Sequence, residues 1–261
     1  MDANSFNEQI SESYQDLLTS LLFDGFSSDL VNRIDFSNTR DILELASGSG
    51  NMTRKLLTRL PRKAHLLATD PEPERRQLEA SNLSWDVVDM TSIPYVDEQF
   101  DLIICQFGLM HVSDRLKALT EIHRVMKKGG KLFISVWGNI LSNPLWNISG
   151  NVIERFLGSN PILQDPGPFS LADKQNTMKL LDQAGFHKVK ASMVNQNGTI
   201  ESAKSAAKGV IQEPAVLMAL NETDSSMILK IQEVLEAELS ASLGNHPLYS
   251  PLMSWLFEIT K

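Results

Sequence analysis

From Asp41 to Trp137 the apolar positions change period again and again. Short apolar runs, "DILELA" from Asp41, "AHLLATD" from Ala64, "SWDVVDM" from Ser84, "FDLIICQ" from Phe100 and "KLFISVW" from Lys131, read as strands. "FDLIICQ" is apolar almost throughout, the pattern of a strand covered on both faces. Between them the spacing becomes helical. "NMTRKLLTRL" is a helix that Pro61 ends, and "PERRQLEA" is a second. "SDRLKALTEIHRVM" is a third, closed by "KKGG" with Gly129 placed to take a left-handed cap. Strands alternating with helices at this spacing predict a parallel sheet with helices on both faces.

The flanks follow other rhythms. Residues from about 5 to 34 read as two helices, one with Leu17, Leu18, Leu21 and Leu22 on its apolar face, the next with Leu30, Val31 and Ile34. After Trp137, "NPLWNISGNVIERFL" is a helix and "PGPF" a loop. "SLADKQNTMKLLDQAGF" is a helix with Ser170 and Asp173 spaced as a capping box and Gly185 as its stop. "HKVKASMV" is a strand, residues from about 201 to 243 are helical, and "PLMSWLFEIT" is a final strand. No stretch has linker composition and no repeat is found, so residues 1–261 are read as one domain.

Composition narrows the function classes. The hydrophobic share is 42%, enough for a core at 261 residues. The formal net charge is -8, with no long basic run, so nucleic acid is a poor partner. No apolar stretch approaches the ~18 residues of a membrane span, and the start lacks a signal-peptide pattern. Cys105 is the single cysteine, which rules out an internal disulfide and a thiolate-rich zinc site. No His or carboxylate cluster has ligand spacing, so no metal is expected. These features predict a cytoplasmic protein; a monomer or homodimer is the accompanying expectation.

The glycine turn after the first strand carries the chemistry. From Gly48 it reads G-S-G-N-M-T, so Thr53 stands where a dinucleotide fingerprint has its third glycine. That weakens a pyrophosphate grip. Asp70 ends the second strand about twenty residues on, where a carboxylate can accept both ribose hydroxyls. Asp89 ends the third, where it can accept from an adenine amine. One acid for the ribose and one for the base, without the pyrophosphate grip, describe an adenosine attached to something other than phosphate.

On these residues the chain resembles the class I S-adenosylmethionine (SAM)-dependent methyltransferases, and within them the small-molecule group similar to the ubiquinone and menaquinone biosynthesis enzymes. "ILELASGSGNMTRKL", "LLATDPEPE", "VVDMTSIPYVDEQFDLIIC" and "LTEIHRVMKKGGKLFISVW" carry the likeness in family order. Ala46 departs from it, standing at the first glycine of the motif and adding a methyl. The resemblance implies an α/β fold: a doubly wound, Rossmann-like, seven-stranded and mostly parallel sheet whose last strand runs antiparallel. It implies lid helices over about 5–34, a helical cap over about 201–243, and SAM as co-substrate. It implies that Glu44 lies by the methionine moiety or braces the loop. Ala46, Gly48 and Gly50 would let the backbone pass close to the ligand. Asp70 would hold the ribose, Pro71 would pack on the adenine, and Asp89 with Met90 would embrace the base. Gln106 and Phe107 would line the methionine end, and Tyr14 would point inward from the lid.

Methyl transfer needs alignment and exclusion of water, and a base only where the acceptor must lose a proton. His111, on the loop after the fourth strand, is the candidate base, with Tyr14 as the second catalytic candidate; packing is the structural alternative for both. Trp137, Asn143 and Trp146 are candidates for a flat substrate pocket, with His111 at its edge; alternatively the tryptophans only cover the sheet. The implied reaction is methyl transfer to O, N or C of a small biosynthetic or secondary-metabolite molecule. Two rivals stand beside it: other SAM chemistry on the same fold, by intramolecular cyclisation or assisted rearrangement, and a catalytically silent binding module.

Overall fold

The computed structural model describes residues 20–71, 78–221 and 223–261. Seven strands, β1 (Asp41–Leu45), β2 (His65–Asp70), β3 (Leu83–Val87), β4 (Phe100–Gln106), β5 (Met126–Trp137), β6 (Lys188–Ile200) and β7 (Leu248–Thr260), form one sheet in the order β3-β2-β1-β4-β5-β7-β6. The pairs from β3 through β5 are parallel, and β7 is antiparallel to both β5 and β6. This is the expected seven-stranded, mostly parallel arrangement with an antiparallel last strand. In β1 and β4 four consecutive residues are buried. Successive side chains on a strand point to opposite faces, so both faces of the sheet centre are covered, which is why these strands are apolar runs rather than alternations.

Eight helices are described: α1 (Ser20–Arg33), α2 (Asn51–Leu57), α3 (Arg115–Val125), α4 (Pro144–Leu157), α5 (Lys174–Gln183), α6 (Ala203–Ile211), α7 (Pro214–Leu220) and α8 (Ser225–Leu243). The last three are the expected helical region between β6 and β7. Trp137 at the end of β5 pairs with Ser254, and β7 and β6 continue past it to the Ile200–Leu248 pair. This two-stranded ribbon overhangs the carboxyl edge of the parallel strands, so α6 to α8 are carried above that edge. α1 packs on the same ribbon, with Gln196 Oε1 only 2.7 Å from where a Cβ on Gly25 would stand.

Several local expectations are corrected. From Ser20 onward a single helix runs to Arg33, with Leu22 and Leu30 both buried on it; Leu17 and Leu18 lie outside the described residues. α2 stops at Leu57, short of Pro61. Of "PERRQLEA" only the last three residues are described, and they are not helical. β3 begins at Leu83 and ends at Val87, because this edge strand is mostly exposed or half-buried and lacks a strong apolar signal. Gly129 has a φ of +76° but does not cap α3, which ends at Val125 with Met126 already extended. It serves an excursion inside β5, where the pairing with β4 jumps from Phe100–Met126 to Leu102–Lys131. Asp173 is itself the N-cap of α5, accepting from Asn176 N. Ser170 Oγ instead accepts from the Arg115 guanidinium at 2.8 Å.

Candidate active site

The strand order places the site. The chain winds outward from β1 to β3, then returns to lay β4 on the other side of β1. The crevice at the carboxyl ends of β1 and β4 is the switch point where open α/β sheets bind ligands. The glycine turn follows β1, Asp70 ends β2, Gln106 ends β4, and Phe107 and His111 follow it.

The turn is built on three left-handed residues, Ala46 (φ +55°), Gly48 (φ +49°) and Gly50 (φ +80°). A Cβ built on Gly48 meets nothing within 4 Å, so that side of the backbone is open to a ligand. Gly50 is closed in: its Cβ would meet Leu78 Cδ1 at 3.0 Å and Trp85 at 3.3 Å. Asp70 Oδ2 accepts from Gly48 N at 2.9 Å and ties the end of β2 to the turn. Thr53 is completely buried and donates to Glu44 Oε2 at 2.7 Å. Glu44 therefore braces the start of α2, one of its two expected roles. Its burial pushes the carboxyl up to about 8, with the nearby Asp70 charge adding to the rise against the Thr53 hydrogen bonds.

Pro71 is exposed beside this turn. Asp89 is exposed just past β3, and its Oδ1 accepts from Thr91 N at 2.7 Å and Thr91 Oγ1 at 2.9 Å. Those bonds hold its carboxyl below the usual range. Met90 is buried, its sulfur 3.9 Å from Cys105 Sγ. Tyr14 lies outside the described residues.

On the β4 side, Phe107 adopts φ +56°, a rare conformation for a bulky residue, at the strand end. Its ring packs 4.5 Å from Trp137 and 5.0 and 5.5 Å from Phe23 and Phe26 of α1. Trp146 and Phe169 continue the cluster on the far side of Trp137. Trp137 and Trp146 are 2% and 1% exposed, so in this conformation both serve as packing under the site rather than as an open wall. Asn143 is fully buried and clamps the start of α4 to β7: it donates to Met253 O and Asn139 O and accepts from Met253 N at 2.9 Å. The expectation that Asn143 shapes a substrate pocket is thus corrected, because its amide is engaged with backbone.

His111 ends a short 3-10 turn over Leu109–His111. Its side chain meets solvent, yet protein surrounds it closely enough that desolvation, with the Arg115 charge, holds its pKa below the ordinary imidazole range. An accessible imidazole held neutral can accept a proton.

Absorbing SAM requires unmet polar groups at the crevice, and they are present. Ser47 Oγ and Asn51 Oδ1 in the turn, and Gln106 Nε2 at the end of β4, are buried without hydrogen-bond partners among the described residues. With the open face of Gly48 they fit a polar ligand lying across the turn. A cleft of 820 Å³ lies at the amino edge of the sheet, around Lys131, Lys190 and Glu258. Ion pairs such as Lys127–Asp101 at 3.0 Å and Lys190–Glu258 at 3.2 Å consume many of its charges. Size alone does not mark the site.

Residues 43–134 match the family described as methyltransferase domain, and the sheet around them has the fold of solved class I methyltransferases. Among its relatives, the ubiquinone/menaquinone biosynthesis C-methyltransferase UbiE of Geobacter sp. (strain M21) is 30% identical over 113 residues, 40% of this chain and 48% of that protein. The chain thus spans about half the length of that curated relative. A methyltransferase assigned to an antibiotic biosynthesis pathway of Anabaena variabilis superposes with a TM-score of 0.64 at 14% identity, covering 91% of this chain and 97% of that one. Phosphoethanolamine N-methyltransferase 2 of Haemonchus contortus, in complex with SAM, does so with a TM-score of 0.58 at 12% identity, covering 96% and 56%. At these identities the two structures speak for the fold.

Two residues of the site were not anticipated from sequence. Ser27 on α1 donates to Gln106 Oε1 at 2.6 Å. Gly108 faces the Ala46 methyl so closely that a Cβ on it would lie 2.3 Å away.

Proposed function

We propose that this chain transfers a methyl group from SAM to O, N or C of a small organic molecule. The observation that carries the reading is the switch-point crevice, where an open glycine turn, tied to Asp70, follows β1 beside the end of β4, whose Gln106 keeps an unmet buried donor. When bound, SAM supplies an activated methyl on a sulfonium, already an excellent leaving group. The protein's residues have the remaining work of binding and alignment. Gly48 lets the backbone approach, while Gly50, closed in by Leu78 and Trp85, shapes the turn. Asp70 receives the ribose hydroxyls, while Pro71, Asp89 and Met90 take the adenine. Gln106 and Phe107 border the amino-acid end. Glu44 keeps the turn in place through Thr53.

His111 is the group that would take a proton where the acceptor is a hydroxyl, and its depressed pKa keeps it in the basic form at neutral pH. Tyr14, from the segment before α1, is the second catalytic candidate, as a lid residue that keeps water out. A small acceptor suits the helices α6 to α8 carried over the carboxyl edge and the net charge of -8. The UbiE likeness supports a biosynthetic substrate, and the net charge of -8 speaks against nucleic acid as the acceptor.

The test is incubation with methyl-labelled SAM and a small-molecule extract, followed by mass analysis. The expected result is a labelled product together with S-adenosylhomocysteine. Release of methylthioadenosine would turn the reading to intramolecular chemistry. Failure to bind SAM in calorimetry would leave only a silent fold.

A further inference from the structure

Ser27 lies in the middle of α1 and is completely buried. A serine within a helix commonly directs its hydroxyl to the carbonyl four residues back. Ser27 instead donates across 79 residues to Gln106 Oε1, at 2.6 Å. That length suits O–H···O and is short for N–H···O, so it is the amide oxygen that faces Ser27. The amide orientation is thereby fixed, and Nε2 is turned away. It is buried and without an acceptor among the described residues.

Gln106 is the last residue of β4, and the sheet order is β3-β2-β1-β4. A ligand whose base and ribose lie at the ends of β3 and β2 and which crosses the turn after β1 brings its opposite end to β4. For SAM that end is the amino acid. Its carboxylate is the molecule's one anionic acceptor, and a buried N–H prefers a charged acceptor to a neutral one.

We infer that Ser27 is a positioning residue for the cofactor: by holding the Gln106 amide in one orientation, it presents Nε2 to the carboxylate of SAM. The inference rests on the methyltransferase reading and adds a residue of α1 to it. It also makes the seating of α1 part of ligand recognition, since the helix must be docked for Ser27 to reach Gln106.

The test compares two ligands on the full chain by calorimetry: S-adenosylhomocysteine, which carries the amino acid, and 5′-methylthioadenosine, which lacks it. Ser27→Ala and the near-isosteric Gln106→Met should each weaken S-adenosylhomocysteine about tenfold, the scale of one lost charge-assisted hydrogen bond, and change methylthioadenosine less than about twofold. The double variant should be no weaker than Gln106→Met alone, and Ser27→Thr, which keeps the hydroxyl, should bind like the wild type. Thermal melts confirm that each variant is folded. Equal losses for both ligands would make Ser27 merely structural and overturn the inference, as would no loss for either. If the wild type binds neither ligand, the methyltransferase reading fails and the inference goes with it. If the wild type binds both and Asp70→Ala weakens both, that reading stands whatever Ser27 does.

Discussion

The floor of the site holds a steric pair that can be tested by a double-mutant cycle. Ala46 sits at φ +55°, where a side chain costs about 1–2 kcal/mol. Gly108 has an ordinary φ of -97°, so its backbone does not call for glycine. The space does: a Cβ there would stand 2.3 Å from Ala46 Cβ, 3.1 Å from Met90 Cε and 3.2 Å from Cys105 Sγ. Carbon atoms rest at roughly 3.5–4.0 Å, so Gly108→Ala must drive the turn and the β4 end apart by more than about 1 Å. Overpacking of this kind costs about 1–3 kcal/mol. Ala46→Gly relieves the left-handed strain but frees the unfolded chain by about 0.5–1 kcal/mol, leaving a net gain of about 0.5–1 kcal/mol. For a chain of this size that is a rise in Tm of about 2 °C. With Ala46→Gly in place, the nearest remaining atoms to a methyl on Gly108 are the movable end of Met90 and the Cys105 sulfur. The two substitutions should therefore couple by about 1–2 kcal/mol, beyond the ~0.5 kcal/mol scatter of independent sites. Urea unfolding of the four proteins gives the coupling, and calorimetry with S-adenosylhomocysteine should show affinity lost in Gly108→Ala and regained in the double variant. Additive effects, or an Ala46→Gly protein less stable than wild type, would refute the steric argument.

Further expectations follow from the same geometry. Asp70→Ala should weaken SAM at least about tenfold, since two charge-assisted hydrogen bonds to the ribose and the brace on Gly48 N are lost together; unchanged affinity in calorimetry removes Asp70 from the site. Glu44, raised to about 8 from 4.5 by burial, holds in the folded state a proton that the unfolded chain releases, so its contribution to stability is full below about 4.5 and is lost as pH rises through about 8. Glu44→Gln, which keeps an acceptor for Thr53, should flatten that decline in urea unfolding followed across the same window, and an unchanged slope would show that Glu44 is ionised in the native protein. If the acceptor is a hydroxyl, His111→Ala should lower turnover about 10²–10⁴-fold with S-adenosylhomocysteine affinity retained. The wild-type rate should then fall only as pH drops below the ordinary histidine value of 6.5, because desolvation holds the His111 pKa beneath it. Near-normal turnover of His111→Ala would leave the reaction to alignment alone.

The sheet was legible because its central strands are buried on both faces and so appear as unbroken apolar runs, as β1 and β4 do. β3 starts one residue and ends three residues before the expected strand because an edge strand with an exposed pattern leaves no such run. Punctuation was less dependable than periodicity. The "KKGG" stretch carries a true left-handed glycine, but positive φ is required equally by a helix cap and by a kink within a strand, and only the Phe100–Met126 and Leu102–Lys131 pairs tell them apart. Ser170 and Asp173 are both good caps by type. Asp173 takes the role because Ser170 is engaged by Arg115, which lies 55 residues away in sequence.

The site divides along the same line. Candidates that stand at a strand tip are visible in the sequence: the place of Asp70 follows from the strand pattern itself, and that of Gln106 from the family resemblance. Residues that act only through a distant partner are not. Ser27 is an unremarked small polar residue in a helix until Gln106 is brought against it, and Gly108 is one more glycine after a strand until the Ala46 methyl is seen to fill its space. Ala46 shows the limit from the other side. In the sequence it is a single methyl added to a glycine turn, and that much is true. The structure adds that the methyl is carried in a left-handed conformation and is accommodated by an absent side chain 62 residues on. Phe107, left-handed at the end of the neighbouring strand, lies next to Gly108. Two strained non-glycine residues thus flank the crevice, one at the end of each strand that forms it. Strain persists where the surrounding packing over-determines it. Here the packing is the aromatic cluster of Phe23, Phe26 and Trp137 around Phe107, so the tryptophan that sequence assigns to a substrate wall does its work one layer below, holding Phe107 and the loop after β4 in shape.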